Sequence, residues 1–343
     1  MLIVMKHGAR GAEIDEVVRV IEEMGYEGRP MPGTQRVAIG LVGNDGNVDA
    51  SRLIALPGVL NVIPVTQPYK QVSREWREES TEIRLRNGTV IGGRDVVLMA
   101  GPCSVEDEEQ ILGVAAELKR AGATVLRGGA FKPRTSPYAF QGLGEAGLKL
   151  LAAARDATGM AVVTEALDSE GAELVAEYAD IIQIGARNMQ NYSLLRAAGR
   201  AGVPVLLKRG MSATLKELLL AAEYIVNEGE SRVVLCERGL RSFDDHARNL
   251  LDLTVVVSVH ELSHLPVIVD PSHGTGDRRK VPAMARAAVA AGADGVMTEV
   301  HPEPARALSD GAQSLTPQEF NDLVVELRAI ARAIGRDLVP ALE

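Results

Sequence analysis

What most constrains the fold of this chain is where charge falls from about residue 96 onward. Short apolar runs recur there, and each ends on, or leads to, a residue able to bind a metal or an anion. Val96 to Ala100 runs towards Cys103, and Val125-Leu126 ends on Arg127. Val162-Val163-Thr164 ends on Glu165, and Ile181 to Ile184 leads to Arg187. Val205 to Leu207 ends on Lys208, and Val233 to Leu235 leads to Glu237 and Arg238. Val267 to Val269 ends on Asp270 with His273 close behind, and Val296 to Thr298 ends on Glu299. A helix-like segment follows each of these eight runs. Closing them as a parallel barrel brings every strand end onto one rim, the place where active sites of such barrels sit. The pattern therefore points to an enzyme.

Composition supports this. The chain is 46% apolar but only 3% aromatic, so its core rests on Val, Leu, Ile and Ala, which suits buried parallel strands. Its net charge of −9 argues against nucleic acid as a partner. An anionic substrate is then compatible only with cations gathered in a cleft. No run approaches the ~18 apolar residues of a membrane span, and Met1 to Lys6 is too short for a signal peptide's apolar core. Two cysteines, Cys103 and Cys236, give no disulfide framework and fit a cytoplasmic location.

A length of 343 residues favours one large domain and one small one. Residues 1–66 read as the small one. Leu2 to Met5 is a strand, Glu13 to Met24 a helix ended by Gly25, and a further strand lies near Glu27. Val37 to Val42 forms a strand closed by the turn Gly43 to Gly46, Val48 to Ala55 a second helix and Val59 to Val65 a last strand. This βαββαβ order is ferredoxin-like. Residues 67–94 read as a linker followed by a barrel-closing hairpin, turned by Asn87-Gly88. Trp76, the only tryptophan, is there either a docking anchor or an ordinary packing residue. Residues 95–337, roughly 240 in number, match the ~250 typical of a (β/α)8 TIM barrel. A doubly wound sheet would usually carry Gly-x-Gly-x-x-Gly after its first strand, where this chain has Ala-Gly-Pro-Cys-Ser-Val-Glu.

Six cations, Arg127, Lys132, Arg134, Arg187, Lys208 and Arg238, fall at or just past strand ends. Any one alone reads as a solvated side chain; together in an acidic protein they imply a ligand with several negative charges. Cys103, His273, Glu299 and Asp310 follow the first, seventh and eighth strands, neighbours once a barrel closes. Thiolate, imidazole and two carboxylates suit one divalent metal ion, with Mn, Fe, Co and Zn all compatible. His7, His246, His260 and His264 read as surface or interface residues, His301 as either rim or packing, and Cys236 as near the pocket.

In combination, Gly101-Pro102-Cys103-Ser104, Leu126 to Ser136, Gln183 to Asn188, Leu207 to Gly210, Cys236 to Gly239 and Asp270 to His273 resemble 3-deoxy-D-arabino-heptulosonate 7-phosphate (DAHP) synthase. The resemblance is to its short-chain branch with an N-terminal ferredoxin-like extension. It implies metal-dependent condensation of phosphoenolpyruvate with erythrose 4-phosphate, the first step of the shikimate pathway. It also implies a cytoplasmic homotetramer inhibited by an aromatic amino acid, tyrosine or phenylalanine. Carried across, Arg127, Lys132, Gly185, Ala186, Arg187, Lys208 and Arg238 bind phosphoenolpyruvate, while Arg134, Thr135 and Asp270 face the sugar phosphate. Cys103, His273, Glu299 and Asp310 are the metal ligands. Lys132, Glu165 and His273 are the catalytic residues, Lys132 as proton donor and Glu165 as the group orienting water. Two other readings stand beside this one: the related synthase that uses arabinose 5-phosphate, which usually has Ala-Asn in place of Pro133-Arg134, and a non-catalytic sensor of phosphorylated metabolites.

Overall fold

The computed structural model of the protein describes residues 1–32, 36–44, 48–63, 68–133, 136 and 138–341. They form two compact units, Met1–Glu78 and Glu79–Glu343.

The first unit runs β1 (Leu2–Met5), α1 (Gly11–Glu23), β2 (Glu27–Pro32), β3 (Val37–Val42), α2 (Ser51–Ile54) and β4 (Val59–Ile63). Its antiparallel sheet has the order β2-β3-β1-β4, as the βαββαβ reading expects. Val17, Val20 and Ile21 of α1 are buried in one core with Ile3, Met5, Ile39 and Leu41 of the sheet. Gly25 takes φ +84° just past the helix, a conformation other residues resist. Pro30 and Pro32 lie on β2, an edge strand, where a missing N–H leaves no ladder bond unmade on the open side. The second helix is shorter than the sequence suggests. Asp49 Oδ1 accepts from Ser51 N at 2.9 Å, which fixes its start after residue 49. Pro57 disfavours helical backbone at Leu56 and limits the other end. Val65, the expected end of the last strand, and Asp45-Gly46 of the turn at 43–46 lie outside the described residues.

Residues 68–78, expected as linker, pack with this first unit. Arg29 Nη1 donates to Gln71 Oε1 at 2.7 Å, and Lys70 Nζ donates to Asn44 O at 3.0 Å. Trp76 is buried with its ring against Gly40, where an added Cβ would lie 1.6 Å from Trp76 Cη2. Packing within the unit is what this tryptophan does here. Gly40→Ala is therefore expected to lower the unit's stability by about 1–3 kcal/mol through overpacking. Because Trp76 is the only tryptophan, the shift is read directly in a thermal unfolding curve followed by tryptophan fluorescence. For a unit this small, each kcal/mol moves the midpoint by roughly 4–8 °C; an unmoved midpoint contradicts the contact.

In the second unit, hairpin β5 (Ile83–Arg84) and β6 (Val90–Ile91) turns through Asn87-Gly88, with Gly88 at φ +85°. Eight parallel strands follow: β7 (Val97–Gly101), β8 (Val125–Arg127), β9 (Ala161–Ala166), β10 (Ile181–Ile184), β11 (Val205–Lys208), β12 (Val233–Glu237), β13 (Val267–Val269) and β14 (Gly295–Glu299). They close into a barrel, β14 pairing with β7. The helices between and after them are α3 (Glu108–Ala121), α4 (Glu145–Thr158), α5 (Ser169–Tyr178), α6 (Tyr192–Arg200), α7 (Leu215–Asn227), α8 (Thr254–Leu262), α9 (Pro271–Thr275), α10 (Val281–Ala290) and α11 (Pro317–Ala333). Several start on side-chain caps: Asp107 on Gln110 N, Asp168 on Gly171 N, and the boxes Thr214/Glu217 and Thr316/Glu319. Ile83, Leu85 and Ile91 of the hairpin region share one cluster with the residues filling the barrel, so the hairpin plugs its lower end. His264 is buried there, not exposed: its Nδ1 lies 2.7 Å from Thr81 Oγ1, while its carbonyl accepts from Thr81 N. His301 is also buried, with Nε2 3.4 Å from Glu106 Oε1, which makes it a packing residue. No helix among the described residues is long and apolar enough to cross a membrane.

Candidate active site

Side chains two apart on a strand point the same way, and this rule builds the site. Met99, Val125, Val163, Ile181, Leu206, Cys236, Ile268 and Met297 belong to the barrel's apolar filling, one from each strand. Two residues further on stand Gly101, Arg127, Glu165, Gln183, Lys208, Arg238, Asp270 and Glu299. The apolar filling therefore ends in a charged layer at the C-terminal rim. Within a layer, contacts run between alternate strands. Arg127 of β8 meets Glu299 of β14 at 3.0 Å, and Lys208 of β11 meets Asp270, just past β13, at 2.5 Å; all four are buried.

Cys103, Glu299 and Asp310 offer ligand atoms that all lie within 4.8 Å of one another. Cys103 Sγ is 3.0 Å from Ser309 Oγ and 3.4 Å from Lys132 Nζ, and the Lys132 ammonium also donates to the Cys103 carbonyl. Burial, together with the charge of Glu299, pushes the Cys103 thiol up, against the pull of Lys132 and Arg127. His273, the fourth expected ligand, reaches the cluster through Glu299, its Nε2 standing 3.5 Å from Oε1. Its Nδ1 lies 2.8 Å from Asp270 Oδ2. Burial holds the ring below its ordinary pKa, against the pull of Asp270 and Glu299. Burial resists ionisation of Glu299, but His273 and Arg127 outweigh it and keep the pKa low. Likewise burial opposes the charge on Arg127, and the surrounding acidic groups, Glu299 first, outweigh it. A thiol and two carboxylates that converge, with an imidazole beside one of them and a carboxylate behind that imidazole, form a donor set suited to a divalent cation.

Around this cluster opens a cleft of about 690 Å³, part of it continuous with solvent. Cys103, Arg127, Lys132, Glu165, Gly185, Ala186, Arg187, Lys208, Arg238, His273 and Asp310 all line it. Arg238 is buried, and desolvation lowers its pKa. Arg187 is held towards the cleft by donating to Pro133 O at 3.1 Å. Glu165 accepts from Gln183 Nε2 at 3.3 Å, and its Oε1 fills the space a side chain on Gly185 would need, 2.0 Å from such a Cβ. Arg134 and Thr135 lie outside the described residues. Asp270 is fully buried, tied to Lys208 and His273, and also accepts from His273 N at 3.0 Å; it is not among the side chains that line the cleft. Cys236 is likewise buried in the apolar filling, not at the pocket; burial drives its thiol pKa far up and makes it inert.

Five lining residues were not among the expected site residues: Pro133, Gln183, Met211, Arg248 and Ser309. Gln183 had a usable signal, its place two residues beyond Ile181. Arg209 was also missed. It is buried and donates to Glu237 at 3.0 Å, to Asp252 at 3.1 Å and to the Ala213 carbonyl, while Glu237 accepts from Gly239 N at 2.6 Å. This network braces the backbone on both sides of Arg238.

Comparison with known proteins gives the same picture. Residues 77–333 match the model of the DAHP synthetase I family, and residues 1–67 match the DAHP synthase ferredoxin-like domain. A phospho-2-dehydro-3-deoxyheptonate aldolase of Thermotoga maritima is 49% identical, over 98% of this chain and 99% of its own. A 2-dehydro-3-deoxyphosphooctonate aldolase of Syntrophotalea carbinolica is 36% identical, over 72% of this chain and 95% of its own. The crystal structure of the Thermotoga maritima aldolase, a DAHP synthase, superposes with a TM-score of 0.79 at 48% identity, covering 98% of this chain and 99% of that one.

Proposed function

The chain belongs to the DAHP synthetase I family and has DAHP synthase activity; from that premise we propose that it joins phosphoenolpyruvate to erythrose 4-phosphate with the help of one divalent metal ion. One observation carries this reading: five cations, Arg127, Lys132, Arg187, Lys208 and Arg238, line a single cleft beside a thiol, an imidazole and a carboxylate at the strand ends. Two phosphorylated anions repel one another in water. A cationic wall that holds both makes their encounter nearly unimolecular, an effect worth up to ~7–11 kcal/mol in ideal cases.

In this reading Arg127, Lys132 and Lys208 face the carboxylate of phosphoenolpyruvate. Arg187 and Arg238 hold its phosphate, with the backbone at Gly185-Ala186, and Arg134 and Thr135 take the sugar's phosphate. Cys103, His273, Glu299 and Asp310 hold the metal, which supplies Lewis acidity towards the aldehyde oxygen. The enol carbon bonds to the aldehyde carbon, and Lys132 gives a proton to the developing alkoxide. Glu165, held by Gln183, orients the water that adds to the former enol carbon. Phosphate then leaves with cleavage of its bond to that carbon. Erythrose 4-phosphate is preferred over arabinose 5-phosphate because Pro133-Arg134 stands where the other synthases usually carry Ala-Asn, and because the first unit matches a domain named for DAHP synthases. By its resemblance to the regulated members of that branch, the first unit is read as the binding place of an aromatic amino-acid inhibitor, in a homotetramer.

The test is one assay of metal-stripped protein. Phosphate release is measured with each sugar phosphate, adding back Mn²⁺, Fe²⁺, Co²⁺ or Zn²⁺ singly, with and without tyrosine or phenylalanine. Turnover restored by a metal and confined to erythrose 4-phosphate is expected. Equal or better turnover of arabinose 5-phosphate overturns the sugar assignment, and full activity without metal overturns the metal. Indifference to both amino acids removes the inhibitor.

A further inference from the structure

We infer that Gln313 and Arg248 are positioning residues for the carboxylates of the metal cluster, forming a relay that fixes Glu299 and Asp310 from behind. The inference rests on reading Cys103, Glu299 and Asp310 as metal ligands. Gln313 is buried and bonded at both ends. Its Nε2 donates to Glu299 Oε2 at 2.7 Å, and its Oε1 accepts from Arg248 Nη1 at 2.7 Å. Only one orientation of the amide serves both partners, since a carboxylate needs a donor and a guanidinium an acceptor. The other oxygen of Glu299 is already held by Arg127 at 3.0 Å. With one donor on each oxygen the carboxylate cannot rotate, yet each oxygen keeps a lone pair for a metal.

Arg248 carries the relay to the second carboxylate. Its Nη1 lies 3.5 Å from Asp310 Oδ1 while its backbone N–H donates to Thr275 O at 3.1 Å. The stem of Arg248 packs on Gly276, where an added Cβ would lie 2.5 Å from Arg248 Cβ. Asp310 needs such support. Among the described residues it is the one non-glycine with a left-handed backbone, at φ +51°, a conformation that persists only where its surroundings impose it. Gln313 serves here as well: its N–H donates to the Asp310 carbonyl at 3.2 Å, and Ser314 Oγ does the same at 3.2 Å. The neutral amide lets Arg248 act on Glu299 without a direct contact between the two.

Loss of a group behind a metal ligand typically weakens metal binding ~10–100-fold. Gln313→Leu keeps the bulk and removes both hydrogen bonds; Arg248→Met keeps the stem and removes the charge. Co²⁺ titration of the metal-stripped full chain gives the affinity, and the visible and near-ultraviolet bands of bound Co²⁺ report its geometry and the thiolate. Both variants are expected to bind Co²⁺ ~10–100-fold more weakly and with altered bands, while the far-ultraviolet circular dichroism of the metal-free proteins stays that of the parent. Gln313→Leu with an affinity within about twofold of the parent's and an unchanged spectrum overturns the inference. If Gln313→Leu does not fold, the half-exposed Arg248→Met decides by the same criterion. A parent that binds no Co²⁺ would instead remove the metal reading on which the relay depends.

Discussion

The Lys132→Met protein is expected to turn over ~10²–10⁴-fold more slowly than the parent, while its affinity for phosphoenolpyruvate falls only about tenfold. The two readouts separate because the wall is redundant for binding and not for proton transfer. One of several charged contacts is lost, a cost of about 1.5 kcal/mol or a little more, while Arg127, Arg187, Lys208 and Arg238 remain on the cleft. Nothing else on the wall replaces the proton. The arginines stay protonated, and Lys208 is tied to Asp270 at 2.5 Å. Lys132 alone combines an ammonium on the cleft with a place 3.4 Å from Cys103 Sγ, beside the metal cluster. Lys132→Arg sharpens the test, since it restores the charge but not a group able to release its proton. Binding is then expected to recover and turnover to stay low. Turnover of Lys132→Met within about tenfold of the parent's would remove the donor role.

The barrel was legible because buried parallel strands write themselves as continuous apolar runs. Val205-Leu206-Leu207 and Val296-Met297-Thr298 needed no partner in the sequence to be seen. The convergence of Cys103, Glu299 and Asp310 was legible for a related reason: closure makes the first and eighth strands neighbours, and β14 does pair with β7. What the sequence hid were the contacts across the barrel mouth. Lys208 and Asp270 are separated by a whole strand, and only layering by alternate strands brings them together. The sequence alone therefore does not show that the charge of Asp270 is paired with Lys208. Arg248 and Gln313 were hidden more thoroughly, since they lie beyond the strands, where no apolar run marks a side chain's direction. Residues 68–78 misled in the opposite sense: a charged stretch read as linker, yet its tryptophan packs against a strand glycine. Short-range polarity reports exposure poorly where one aromatic ring sets the packing.

That hidden pair supports the other large effect. Asp270→Asn is expected to destabilise the barrel unit by about 3–5 kcal/mol, the usual cost of breaking a buried ion pair from one side. The substitution barely changes shape, so the loss comes from charge. Lys208, only 3% exposed, would face a neutral amide. Burial opposes the charge of Asp270, but His273 and Lys208 hold its carboxyl well below the ordinary range, so the substitution removes a carboxylate that is ionised at neutral pH. The amide also unsettles His273, because Nδ1 now meets an atom that is as readily a donor as an acceptor, and metal binding is expected to weaken as well. Urea denaturation of metal-free protein measures the first effect without the second. Far-ultraviolet circular dichroism is the right probe, as α3 to α11 dominate the signal and Trp76 lies in the other unit. A loss below about 1 kcal/mol, the level of an exposed ion pair, would mean that water reaches Lys208 and that the charged layer is open to solvent rather than sealed over the barrel's apolar filling.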